Sequence, residues 1–220
     1  MFRRVTAFAI SLVMVLSLFA PVMVLAETEN NEAQIKNIIY LIPDGGGYGP
    51  YDMADKVKQA GGFSKSRYPY ATPVTDDPMY LKSYLAGSVD TNNVNGTTTD
   101  SAAGGTALST GHRTINGYVG IDENKVPVAT ILEGAQYIGK AVGMVTTKCW
   151  TDATPASFAS HAVSRNDIVD IYHQIENKGL QVVLGVGYGN VTAATGETIQ
   201  NAIDRGYSII TNKTEKCNMF

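Results

Sequence analysis

The sequence predicts an α/β fold, a three-layer α/β/α sandwich around a mostly parallel sheet. Two observations predict it. From Ile35 onward, short apolar runs alternate with helical patterns, which implies βαβ units and helices on both faces of the sheet. Three of those helical patterns each end at a glycine (Gly139, Gly179, Gly206) that opens the next apolar run. A glycine takes the left-handed conformation at a helix C′ position without a Cβ penalty, so one helix-Gly-strand punctuation recurs three times.

The elements follow in order. Lys36-Asn-Ile-Ile-Tyr-Leu-Ile-Pro43 reads as a buried strand, closed by Asp44-Gly-Gly-Gly47. Residues 61–95, rich in Tyr, Pro, Thr and Asn, break the rhythm and read as long loops, either a functional rim or an insertion. Residues 128–138, 168–178 and 198–205 carry helical patterns, and 139–145, 180–184 and 207–211 read as strands.

Composition bounds the function. With 44% hydrophobic and 17% charged residues among 220, the chain is neither disordered nor fibrous. Seventeen basic against 20 acidic side chains give no basic surface for nucleic acid, so no nucleic-acid partner is expected. Residues 1–26 have the pattern of a secretory signal peptide: Arg3 and Arg4, then 22 uncharged residues, then Val24 and Ala26 at −3 and −1. Cleavage predicts export to the periplasm or the outside of the cell; an uncleaved segment would be a membrane anchor. Residues 27–220 form the expected domain. Cys149 and Cys217 are too few for a disulfide scaffold, although one bridge between them stays open.

Three clusters could carry chemistry. Asp44 follows an expected strand, at the carboxyl end where α/β sheets bind ligands, although Asp-Gly there also makes an ordinary turn. Ser101 begins a small-residue helix, Asp100-Ser-Ala-Ala-Gly-Gly-Thr-Ala-Leu-Ser-Thr-Gly111. Asp100 and Ser101 can serve as caps, or the helix start can favour a phosphate beside an activated serine. In Thr151-Asp-Ala-Thr-Pro155, Asp152 and Thr154 offer hard oxygens suited to magnesium. Arg165 offers a guanidinium fork for phosphate oxygens, or a surface ion pair.

Thr99-Asp-Ser-Ala-Ala with Thr106-Ala-Leu-Ser-Thr-Gly111, and Asp152-Ala-Thr-Pro-Ala with His161 and Ser164-Arg165, resemble the alkaline phosphatase family. Asn116-Gly-Tyr-Val-Gly-Ile-Asp122 leading into Thr130-Ile-Leu-Glu133 resembles it too, and the similarity runs from about Ile35 to about Thr211. The resemblance implies metal-assisted hydrolysis of phosphate monoesters with two zinc ions and one magnesium. Asp44 would bridge a zinc and the magnesium. Ser101 would bind that zinc and become a covalent phosphoserine. Arg165 would clamp phosphoryl oxygens, Thr154 would bind magnesium, and Asp152 would sit beside it. A homodimer is possible on the same ground.

The family's remaining ligands, including Asp-x-x-x-His and adjacent Asp-His motifs, do not occur in the sequence, and His112, His161 and His173 match no ligand position. The chain is therefore expected to be the N-terminal portion of such an enzyme, incomplete at its C-terminus. Its alternative is an inactive phosphate- or subunit-binding fragment. A metal hydrolase acting on diesters or sulfates is the third possibility, and the Asp-Ser-Ala-Ala context with Arg165 favours monoesters.

Overall fold

Amphipathic segments with small-residue faces dictate which elements form. The computed structural model describes residues 35–60, 83–186, 188–196 and 199–210. The expected signal segment therefore lies outside the described residues, as does much of the loop-rich region 61–95. Two units divide the chain, Met1–Ile42 and Pro43–Phe220.

In the first unit, residues 35–42 form neither helix nor paired strand. Ile38, Ile39 and Leu41 are 85%, 84% and 83% exposed, which corrects the expectation of a buried strand at 36–43. An apolar β-branched run records a preference, but a strand exists only through ladder partners, and no described residue supplies them.

In the second unit the order is α1 (Tyr48–Gln59), α2 (Ser101–Thr110), α3 (Ile131–Tyr137), β1 (Gly143–Cys149), α4 (Ala153–Ala159), α5 (Ile168–Asn177), β2 (Val182–Val186), α6 (Tyr188–Thr195) and α7 (Ile199–Asp204). β1 and β2 pair in parallel, Gly143 opposite Val182 and Val145 opposite Leu184, with a register break before Cys149 pairs with Val186. The connection through α4 and α5 is the βαβ logic expected. Gly139, Gly179 and Gly206 have φ of 76°, 69° and 91°, so all three punctuation glycines adopt the left-handed conformation.

Boundaries moved where tertiary context outweighed pattern. α3 begins at Ile131 rather than 128 because Thr130 and Glu133 form a reciprocal capping box. β1 runs 143–149 rather than 139–145: residues 139–142 complete the turn, and Thr146-Thr147 extend the strand. Residues 207–210 form no strand, again without a described neighbour to pair with, and Thr211 lies outside the described residues.

The core gathers Ala102, Val119, Leu132, Met144, Ala153, Ala156, Ala159, Ala162, Ile171, Ile175 and Leu180, with Trp150 and Phe158 packed against it. α5 contributes through a 3.6-residue stripe, Ile171, Tyr172 and Ile175. The Trp150 and Tyr172 rings lie 5.3 Å apart, joining the end of β1 to α5.

One ionic cluster ties three segments together. Glu133 Oε1 accepts from Lys178 Nζ at 2.5 Å and lies 3.0 Å from His161 Nε2, while Glu133 Oε2 accepts the Thr130 N–H at 2.9 Å. Burial alone would raise the Glu133 carboxyl. Lys178, the Thr130 N–H and His161 outweigh it and hold that carboxyl at about 2, below its ordinary 4.5. The folded state thus prefers the carboxylate more than the unfolded state does. Stability from Glu133 is complete above pH 4.5 and drains away as the pH falls toward 2. Accordingly, Glu133→Gln lowers the urea midpoint at pH 7 and closes the gap to wild type near pH 2, read from denaturation curves across that range.

Candidate active site

Two small-residue helices bring the candidate residues together. α2 presents Ala102, Gly105, Thr106 and Ser109, and α4 presents Ala153, Ala156 and Ser157, all buried. A Cβ on Gly105 would sit 2.9 Å from Ser157 Oγ and 3.4 Å from Thr154 Cα, so the two backbones approach as closely as glycine allows. Hydroxyls inside the contact satisfy carbonyls rather than compete with them. Ser109 Oγ donates to Ser157 O at 2.6 Å, and Ser157 Oγ donates to Ala153 O at 2.7 Å.

This packing aligns the two helix starts. Asp100 caps α2, its Oδ1 accepting from the Ala103 N–H at 2.9 Å, and Asp152 caps α4, its Oδ1 accepting from the Ala153 N–H at 2.8 Å. Ser101 and Thr154 therefore emerge beside each other, and Asp44 meets both. The Ser101 hydroxyl donates to the Asp44 carboxylate, with Oγ 2.9 Å from Oδ2 and 3.1 Å from Oδ1. The Thr154 hydroxyl donates to Asp44 Oδ2 at 3.2 Å. Asp44 itself stands in a turn closed by the Gly46 N–H on Pro43 O at 2.8 Å.

Arg165 completes the constellation. Its terminal nitrogens reach Asp152 Oδ1 at 3.0 Å and Asp100 Oδ2 at 3.4 Å, and its backbone N–H donates to Gly117 O at 2.7 Å. Its side chain is 31% exposed. The five residues singled out in the sequence thus lie in two hydrogen-bonded groups, Asp44 with Ser101 and Thr154, and Arg165 with Asp152, and the second group, through Asp100 and Asp152, caps the helices that carry Ser101 and Thr154.

Sequence reasoning treated Asp100 only as a cap and overlooked it as a partner of Arg165. Its position next to Ser101 was the available signal. His161, which matched no ligand position, serves as a bridge: its ring spans Gly120 O at 2.5 Å and Glu133 Oε1 at 3.0 Å.

The donor set is all oxygen: the Asp44 carboxylate, two hydroxyls and the neighbouring Asp152 carboxylate. That chemistry suits magnesium, which binds one or two carboxylates and keeps several waters. It does not provide the His and Cys ligands zinc prefers. Among the described residues, no group of three or more His, Cys, Asp or Glu is placed to hold a metal ion.

Comparison with known proteins spans this region. The alkaline phosphatase family matches residues 35–201. Alkaline phosphatase 3 of Bacillus subtilis is 33% identical over 85% of this chain and 40% of its own length. The crystal structure of Thermus thermophilus alkaline phosphatase matches 80% of this chain and 36% of its own, with a TM-score of 0.64 and 29% identity. A mutant of TAB5 alkaline phosphatase, solved with Mg bound, matches 76% of this chain and 46% of its own at a TM-score of 0.54 and 25% identity. The chain spans about 40% of the length of the two Bacillus subtilis relatives it matches.

The tight α2–α4 contact generates a direct test. Gly105→Ala forces a methyl against Ser157 and costs about 1–3 kcal/mol of stability. Because Ser157 Oγ is the first atom met, a compensating Ser157→Ala recovers part of the loss in thermal denaturation.

Proposed function

The chain belongs to the alkaline phosphatase family, and we propose that it carries the nucleophile and phosphate clamp of an exported, metal-dependent phosphomonoesterase. The observation that supports this most is the meeting of Asp44 with two hydroxyls from two helix starts, Ser101 and Thr154, while the Arg165 guanidinium bonds the caps of the same two helices.

In this proposal Ser101 Oγ attacks the phosphorus of a phosphate monoester, the P–O bond to the alcohol breaks, and the phosphoryl group rests on Ser101 until water removes it. The serine proton has a carboxylate oxygen within 2.9 Å on Asp44 to receive it. Arg165 has five N–H donors and spends two on Asp100 and Asp152, which leaves others for phosphoryl oxygens. Asp100 and Asp152 fix the plane of that fork, so the clamp is set before substrate arrives. Asp44 and Thr154 would hold magnesium, with Asp152 beside it. Bound divalent cations supply positive charge against the transferring phosphoryl group and ease ionisation of the serine. Of the residues that the family resemblance gives to zinc, the described part of the chain carries Asp44 and Ser101.

Recognition mainly through the phosphate predicts a broad range of monoesters. The leader pattern at residues 1–26 supports export, and a homodimer is part of the same proposal. The oxygen-only donor set favours a second reading, a phosphate binder without turnover.

The two readings separate experimentally. The full chain, supplied with magnesium and zinc, is expected to release inorganic phosphate from an aryl phosphate. Acid quenching is expected to trap labelled phosphate on Ser101. Ser101→Ala abolishes the trapped label and lowers turnover by about a thousandfold or more. Phosphate binding that depends on Arg165, without any release, identifies the non-catalytic binder. Label trapped on another residue overturns the role of Ser101.

A further inference from the structure

The segment Asn116-Gly117 bonds both halves of the candidate site although neither residue contributes a reactive group. Asn116 Oδ1 accepts the Asp100 backbone N–H at 3.0 Å, and Asn116 Nδ2 donates to Thr98 O at 2.8 Å. One side-chain amide therefore brackets the residues that lead into Ser101. Gly117 N–H donates to Asp100 Oδ2 at 3.0 Å, and Gly117 O accepts the Arg165 N–H at 2.7 Å.

A second asparagine orients the first. Asn93 is fully buried and donates through Nδ2 to Asn116 Oδ1 and to Thr97 Oγ1, both at 2.8 Å. Asn93 Oδ1 accepts the N–H groups of Asn95 and Thr97, and the Asn93 N–H donates to Thr99 Oγ1. This network leaves Asn93 saturated, and it fixes which end of the Asn116 amide is oxygen: only an oxygen can accept from both Asn93 Nδ2 and the Asp100 N–H.

We propose that Asn116 is the positioning residue of Ser101, seating the Asp100–Ser101 turn so that the hydroxyl meets Asp44. The proposal rests on the reading of Ser101 as the nucleophile. A free Asp100 N–H would let the residues before α2 rotate, and the Ser101 hydroxyl would leave its 2.9 Å contact with Asp44. A misplacement of about 1 Å at a reacting atom is enough to cost about a hundredfold in rate. Arg165 keeps its own tie to Gly117 through main-chain atoms, so phosphate recognition survives the loss of the Asn116 side chain. A positioning role for the hydroxyl thus predicts an effect on kcat with KM preserved.

The test uses the full chain as wild type, Asn116→Ala and Arg165→Ala, with backbone hydrogen exchange and aryl phosphate kinetics measured on each. Asn116→Ala is expected to speed exchange at residues 98–103 about tenfold or more while leaving residues 153–159 unchanged. It is also expected to lower kcat by about 10–100-fold with KM within about threefold, whereas Arg165→Ala raises KM. Unchanged exchange at 98–103, or an Asn116→Ala enzyme with wild-type kcat, overturns the proposal. A wild-type chain that releases no phosphate defeats the phosphatase reading alone, and exchange at 98–103 then decides the role of Asn116. Should Asn116→Ala fail to fold, Asn116→Leu, which keeps the volume and removes both polar atoms, takes its place under the same criteria.

Discussion

The close approach of two small-residue helices, α2 and α4, is the constraint on which the rest of the site depends. Alanine and glycine bury little apolar area each, so the pair gains its stability from dispersion between backbones at short range and from hydroxyls that satisfy carbonyls inside the contact. Larger side chains would add hydrophobic burial and push the helices apart. The separation matters because Ser101 and Thr154 both reach Asp44 with short side chains, one donating at 2.9 Å and the other at 3.2 Å. The sequence accordingly trades core volume for proximity at this end of the domain.

Charge in the site is unbalanced in a way that invites a cation. Asp44, Asp100 and Asp152 bring three carboxylates, and Arg165 is the cation hydrogen-bonded to two of them. Asp44 is engaged by hydroxyls, which stabilise a carboxylate but do not neutralise it. A phosphate monoester adds further negative charge. An arginine already shared by two aspartates cannot alone offset that repulsion, and a divalent cation at the Asp44–Thr154 oxygens would.

Much of this was legible in the sequence because it depended on local chemistry. The helix-Gly-strand punctuation needs only the left-handed preference of Gly139, Gly179 and Gly206, and the start of α2 needs only Asp100 as a cap. The run at 36–43 was misread because its apolar pattern states what the segment prefers to bury, whereas a strand depends on which neighbours are present to pair. Asn93 was invisible for a different reason, and Asn116 stood out only as the start of a family-like motif, without its bonds. Asparagines in a Thr- and Gly-rich stretch look like turn formers, and only the folded chain shows that one is fully buried with its polar atoms committed. Glu133 shows both sides: its capping box with Thr130 is local, while its bonds to Lys178 and His161 cross 45 and 28 residues.

Asp100 gathers these strands of cause into one residue. Its Oδ1 caps α2 and so sets the direction of the helix carrying Ser101, while its Oδ2 accepts from Gly117 and from Arg165. Its backbone N–H is held by Asn116. A shift of this carboxylate therefore reaches the Ser101 hydroxyl directly, while the guanidinium keeps its shorter tie to Asp152. On the proposed reading, this shared residue would set the spacing of the Ser101 hydroxyl and the Arg165 fork, which in-line attack on a clamped phosphorus requires. It also concentrates risk. On the same proposal Asn116 and Gly117, which bring no reactive group, inherit the geometric tolerance of Ser101 and Arg165.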